Sequence, residues 1–170
     1  MPGIPNNPAS KHSHSSTHSV SRFSGQVRAE EKDPRGNIIS DTGWVSNIET
    51  NYLGNSVAAW LAGRNNTGYN PLSPPTMIEL GTGTGTPAVT DTALFTPAAS
   101  TLIQCSLVNV SAASTTQFIA QYFGTTNNAG TYTEAGIFDT AGNLWAHTLI
   151  SISVSNGNTT TVTWLLTQQL

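Results

Sequence analysis

Charge is what this 170-residue chain has least of. Lys, Arg, Asp and Glu make up 9% of it, against about a quarter in ordinary globular domains. Its distribution is also lopsided. The basic residues Lys11, Arg22, Arg28, Lys32, Arg35 and Arg64 all precede Asn65, and beyond that point only Glu79, Asp91, Glu134 and Asp139 are charged. A net charge of −3 with no basic cluster offers no electrostatic footprint for nucleic acid. Cysteine is nearly absent. Cys105 alone rules out an internal disulfide framework, and its place in the apolar run from Leu102 to Val108 marks a buried, inert thiol. No apolar stretch reaches the roughly eighteen residues of a membrane-spanning helix, so no membrane partner is expected. An apolar h-region is missing near Met1, so a chain without a secretory leader, made in a reducing cytoplasm, is expected.

Catalytic signatures are missing too. Gly81-Thr82-Gly83-Thr84-Gly85 follows a strand-like run and invites a phosphate-loop reading. A phosphate loop needs a Lys at its end, and every basic residue lies upstream. A dinucleotide fingerprint needs a helix next, whereas Pro87-Ala88-Val89-Thr90-Asp91-Thr92 reads as extended or turning, with Asp91 starting a turn through an Asx-type bond. The loop is therefore expected to be structural. Glu79, Asp91, Glu134 and Asp139 supply the carboxylates from which a glycosidase pair would have to come, but Asp139 sits in an Asp-x-x-Gly turn and Glu134 opens a strand. His147 reads as a hydrogen-bonded strand residue, since no serine lies in a Gly-x-Ser-x-Gly elbow. No enzyme, cofactor or metal centre is expected.

Thr, Ser and Asn take the place of the missing charge. One reading is a Thr-rich β-protein kept soluble by hydroxyls and amides. The other is a surface largely covered by neighbouring copies or partners, because charged residues are depleted at the cores of interfaces.

Read along the chain, residues 1–25 form an extended N-terminal arm and 26–170 a single domain. The arm holds Pro2, Pro5 and Pro8, many Ser, and His12, His14 and His18, with too little apolar surface to offset its own ordering entropy. Its contacts are expected to be made to a neighbouring subunit through Pro5, His12, His14, His18, Arg22 and Phe23. The histidines lack the thiol or acidic partners and fixed spacing of a metal site. From Phe23 to Glu31 the chain alternates as a strand, Asp33-Pro34-Arg35-Gly36 turns it, and Asn37 to Ser40 returns. Mixed apolar spacings of three and four from Asn47 to Leu61 predict one short helix, placed at Ser56 to Leu61 because Gly54 weakens its middle. Arg64 to Pro75 is a loop in which Tyr69 is the candidate for an outside contact.

Everything after it reads as β. Strands are expected at Thr76–Leu80, Thr101–Val110, Thr116–Phe123, Glu134–Phe138, Leu144–Val154 and Thr160–Gln168. Turns loaded with Asn and Gly separate them, and Asn156-Gly157 between Val- and Thr-rich arms is the strongest hairpin signal. The pattern predicts a mainly β fold, an antiparallel β-sandwich or jelly-roll-like barrel with one short helix. Trp44, Trp60 and Trp164 are assigned to the core.

Four blocks in order carry a further implication: Asp41-Thr42-Gly43-Trp44-Val45-Ser46-Asn47; Gly81-Thr82-Gly83-Thr84 with Pro87-Ala88-Val89-Thr90-Asp91-Thr92-Ala93-Leu94; Thr133-Glu134-Ala135-Gly136-Ile137-Phe138; and Val162-Thr163-Trp164. Together they resemble a group of small virion proteins of tailed bacteriophages, associated with tails and tail fibres, over roughly residues 26–170. The resemblance implies a structural virion protein of a tail, tail fibre or neck, made in the host cytoplasm and acting by multimeric assembly and by host attachment. Its partners would be other copies of itself, other virion proteins and host surface carbohydrate. A capsid decoration protein and a carbohydrate-binding module are the alternatives. Ala135, where the family favours a larger apolar residue, and the His- and Ser-rich arm depart from the pattern and bear on location rather than fold.

Overall fold

The computed structural model describes residues 22–61, 73–110 and 114–169. Pro5, His12, His14, His18 and Tyr69 lie outside them. The elements are β1 (Arg22–Lys32), β2 (Ile38–Asp41), β3 (Val45–Ser46), β4 (Ile48–Glu49), α1 (Asn51–Leu61), β5 (Met77–Gly81), β6 (Ile103–Gln104), β7 (Leu107–Val110), β8 (Thr115–Phe123), β9 (Gly130–Phe138), β10 (Leu144–Val154) and β11 (Thr159–Gln169). They form two antiparallel sheets. The first runs β2-β1-β11-β8-β7, with β3 also on β1, and the second runs β4-β10-β9-β5-β6. The expected β-sandwich with one short helix is what the chain builds. Among the described residues no helix is long and apolar enough to cross a membrane.

Period-two alternation supplies the core. Val27, Ala29, Phe118, Ala120, Tyr122, Val162 and Trp164 of the first sheet meet Ile78, Leu80, Ala135, Ile137, Ile150 and Ile152 of the second. Each fully buried aliphatic side chain of this kind is worth about 1.5–3 kcal/mol. Tyr122 carries its one polar atom across the core, where the hydroxyl donates to the Ile78 carbonyl at 2.9 Å. Cys105 is a free thiol in this core, and burial pushes it up to about 11, as an inert structural cysteine requires.

Several sequence expectations are corrected. The arm was expected to reach residue 25, but β1 begins at Arg22, with Arg22 paired to Gln169 and Phe23 to Gln168. Phe23 is thus a sheet residue packed against the core. Gly25, one step along the same inward face, leaves room for the Asn47 amide, whose oxygen would stand 1.9 Å from an added Cβ. The single strand expected at Thr101–Val110 divides. β6 joins the second sheet through Met77–Gln104 pairing, β7 joins the first through Leu107–Ile119, and the chain crosses between sheets at Cys105 and Ser106.

Asn156-Gly157 makes a turn but not a hairpin. Gly157 has φ +83°, and Asn158 donates to the Ser155 carbonyl at 3.0 Å, yet β10 and β11 lie in opposite sheets. A buried carboxylate explains the arch. Glu31, at the inward end of β1, accepts from the Ser155 amide (2.7 Å) and the Asn158 side chain (3.1 Å), pulling the turn across the open end of the sandwich. Helix α1 starts at Asn51 rather than Ser56. Its first amide donates to the Val89 carbonyl at 2.7 Å, and Thr50 just before it bonds to the carbonyls of Leu144 and Trp145, so tertiary capping overrides Gly54. Trp164 is fully buried as expected, whereas Trp44 is 45% and Trp60 63% exposed.

Candidate functional site: a strap held by buried charge

The glycine-rich run and the Pro87–Leu94 block lie in one connection, residues 82–96, between β5 and the chain leading to β6. Its ends meet: the Thr82 amide donates to the Thr96 carbonyl at 2.9 Å, and Gly81 bridges Pro97. Between those ends it forms a strap over the outer face of the second sheet. On that face Gly136 of β9 pairs with His147 of β10, and Glu134 pairs with Leu149.

Glu134 is the centre. Its side chain is fully buried. Oε1 accepts from the amides of Gly83 (2.9 Å) and Thr96 (2.8 Å), while Oε2 accepts from the Phe95 amide (3.0 Å) and lies 2.9 Å from His147 Nε2. Burial pushes this carboxyl up, but the amides of Thr96, Phe95 and Gly83 together with the His147 ring outweigh it, and the group sits below the ordinary glutamate range. The phosphate-loop resemblance is physically half right. The loop does gather amides round an anion, and the anion is the chain's own Glu134.

His147 extends the array. Its ring is fully buried, with Nδ1 2.8 Å from Asp91 Oδ2. The same Asp91 oxygen accepts from the Ala88 amide at 2.8 Å, and the Asp91 amide donates to the Ala88 carbonyl at 3.0 Å. The expected Asx-type turn therefore points backward, closing 88–91 instead of starting a turn after 91. A carboxylate oxygen thus faces each nitrogen of the imidazole ring. Phe95 lies against the ring at 4.8 Å between centroids, and Leu94 packs with Phe138 and Leu144 into a small second core under the strap.

Close approach dictates the glycines. A Cβ on Gly81 or Gly83 would come within 2.5 Å of Glu134 Oε1, and one on Gly85 within 2.9 Å of the Phe95 ring. Gly136 admits Leu94, Leu144 and Phe138, each of which would stand 2.8–2.9 Å from an added Cβ. Sequence reading identified His147 as a hydrogen-bonded strand residue but did not bring it together with Asp91 and Glu134. The available signal was a run of glycines with no basic residue after it, which calls for an internal anion.

The remaining carboxylates lie elsewhere. Asp139 organises the β9–β10 turn, accepting from the amides of Ala141 and Asn143 and from the Tyr52 hydroxyl. Glu79 is pushed up by partial burial and by nearby Glu134. Among the described residues no group of His, Cys, Asp and Glu is arranged to hold a metal ion. The chemistry that the Asp91–His147–Glu134 array performs is to fasten the strap. Compared with known proteins, the chain matches no family model, no curated protein and no solved structure.

Proposed function

We propose that this is a structural virion protein of a tailed bacteriophage, a tail, tail-fibre or neck component that works by packing against copies of itself and other virion proteins. The observation that carries the reading is the outer face of the first sheet. Across β1, β11 and β8 that face presents Ser24, Gln26, Arg28 and Glu30 beside Thr161, Thr163, Leu165 and Thr167, then Gln117, Ile119, Gln121 and Phe123. Arg28 and Glu30 are its charged members among these, and Arg28 is already held by Asp41 at 2.7 Å. Phe123 is 66% exposed, and Ile38 and Ile39 on neighbouring β2 are each about half exposed at 53% and 52%. A broad sheet of hydroxyls, amides and aliphatics with few charges suits burial against another surface. The order of the sequence blocks, which resembles that of phage tail proteins, points the same way.

A capsid decoration protein would use the same face. A carbohydrate-binding module is favoured by a different observation, the exposed indoles of Trp44 and Trp60, since exposed aromatic rings stack on sugars. Size-exclusion chromatography with light scattering on the full chain, followed by incorporation into particles, separates these readings. A defined oligomer that enters particles is expected. A monomer at every concentration that binds a glycan array moves the assignment to the binding module.

A further inference from the structure

At the end of the sandwich beside α1, an apolar cleft of about 330 Å³ opens between the two sheets. Its walls include Phe23, Leu53, Val57, Phe118, Trp145 and Leu166, with Pro74 and Pro75 at the rim, and no charged side chain lines it. A smaller cleft lined by Ser56, Val57, Trp60 and Trp145 adjoins it, sharing Val57 and Trp145. Two polar atoms in this second wall, the Trp145 indole N–H and the Ser56 hydroxyl, are buried and find no partner, although buried polar groups are normally paired. Trp145 is 8% and Ser56 1% exposed.

An apolar, aromatic-walled cleft fits a polypeptide in the polyproline II conformation. Such a helix has three residues per turn and carbonyls free to accept, and proline-rich segments dock in aromatic-lined grooves. The chain carries such a segment. Pro2, Pro5 and Pro8 stand three residues apart in Met1-Pro2-Gly3-Ile4-Pro5-Asn6-Asn7-Pro8, which lacks charged side chains, as the cleft does. In polyproline II those prolines would share one edge spanning about 19 Å. The cleft, at the small end of ligand sites, would seat Ile4-Pro5, with its neighbours along the rim. Residues 9–21 separate Pro8 from β1, a tether of thirteen residues that reaches at most roughly 45 Å.

We propose that the cleft between Phe23 and Trp145 is the docking site for residues 2–8 of a second copy of this chain, whose proline and isoleucine side chains would fill its apolar walls. That the segment comes from a neighbour rather than from the same molecule rests on the assembly reading above.

The test uses the full chain with Ile4 replaced by photocrosslinking p-benzoylphenylalanine, mixed with ¹⁵N-labelled copies of the same protein, irradiated and mapped by mass spectrometry. Crosslinks from position 4 to peptides holding Val57 or Trp145, in mixed-isotope pairs, are expected. Val57→Glu should reduce their yield about tenfold or more, because an unpaired charge would enter an apolar site. The triple change Pro2→Ser, Pro5→Ser and Pro8→Ser should do the same with the melting temperature unchanged. Crosslinks mapping elsewhere, or confined to same-isotope pairs, overturn the proposal. Light scattering on the same samples separates the two readings: an oligomer whose crosslinks miss the cleft overturns the docking and leaves assembly standing, whereas a monomer overturns both.

Discussion

The two sheets of this sandwich treat their outer faces in opposite ways. On the second sheet the chain covers its own face. The strap at 82–96 lies across β9 and β10, buries Leu94 against Phe138 and Leu144, and is fastened through Glu134 and His147, both wholly removed from solvent. On the first sheet, the outward rows of β1, β11 and β8 are left half exposed, with threonine, glutamine and aliphatic side chains and little charge. A carboxylate is worth burying only when hydrogen bonds replace its water, and Glu134 receives three from strap amides and a further contact from the His147 ring on β10. No equivalent investment is made on the first sheet. The covered face is thus part of the fold, and the open face is the one the proposed assembly would use.

Removing the central carboxylate is the most severe way to break that contrast. Glu134→Gln keeps the shape but turns an acceptor of three amides into a group with its own N–H donors, and it deprives His147 of one of its two carboxylate partners. Loss of one side of a buried charged network costs about 3–5 kcal/mol. Urea unfolding should show a midpoint lowered accordingly, with the strap open to proteolysis; an unchanged midpoint would mean that the strap contributes nothing to stability.

Steric substitution probes the same contacts more gently. Gly83→Ala places a Cβ 2.5 Å from both Glu134 Oε1 and Phe95 Cβ, and overpacking of this kind costs about 1–3 kcal/mol. Gly54→Ala in α1 is the control, since nothing lies within 4 Å of its added Cβ. There helix propensity should gain about 0.5–1 kcal/mol. Thermal unfolding of the pair should therefore shift in opposite directions.

Acid sharpens the comparison further. The folded Glu134 carboxyl lies below its ordinary value of 4.5. Its stabilisation is therefore fully present above that value and is lost as pH falls through the lower folded one. Unfolding free energy measured from pH 6 down to pH 3 should decline more steeply in the parent than in Glu134→Gln, which has no carboxyl to protonate at that position. Parallel slopes would show that Glu134 does not govern acid sensitivity.

How much of this was legible in the sequence depends on the range of the interaction. Period-two alternation marked β8, β10 and β11, and the Asp33-Pro34-Arg35-Gly36 turn marked the first hairpin, where Asp33 accepts from the amides of Arg35 and Asn37. Those signals are local. The split of Thr101–Val110 between sheets, the arch at Asn156-Gly157 and the early start of α1 are decided by Thr76, Glu31 and Val89, each distant in sequence from the element it corrects. The site was legible in its parts and hidden as a whole. Gly81, Gly83, Asp91, Glu134 and His147 were each noticed, but their meeting depends on the register that sets Gly136 opposite His147, and no spacing rule encodes that. Exposure of Trp44 and Trp60 escaped for a related reason: apolar periodicity shows that a residue can be buried, while coverage depends on what the rest of the chain places over it.

The smallest expected effect on stability falls on the open face, and its smallness is what makes it informative. Thr161 sits on the outward row of β11, directly opposite Glu30 of β1 and Gln121 of β8. In Thr161→Lys the new ammonium faces a carboxylate across the strand pair, a favourable cross-strand arrangement, and the side chain extends away from the core. Surface changes of this kind usually move stability by within about 0.5 kcal/mol. If the face is buried in the assembly, the same cation must be desolvated when copies meet, and association should weaken about tenfold or more. Circular dichroism melting and light scattering on one preparation read the two effects separately. An unchanged melting temperature with a shift toward monomer identifies the Thr-rich face as the contact surface. An unchanged melting temperature with an intact oligomer moves the contact off this face and leaves the cleft beside α1 as the surface to pursue.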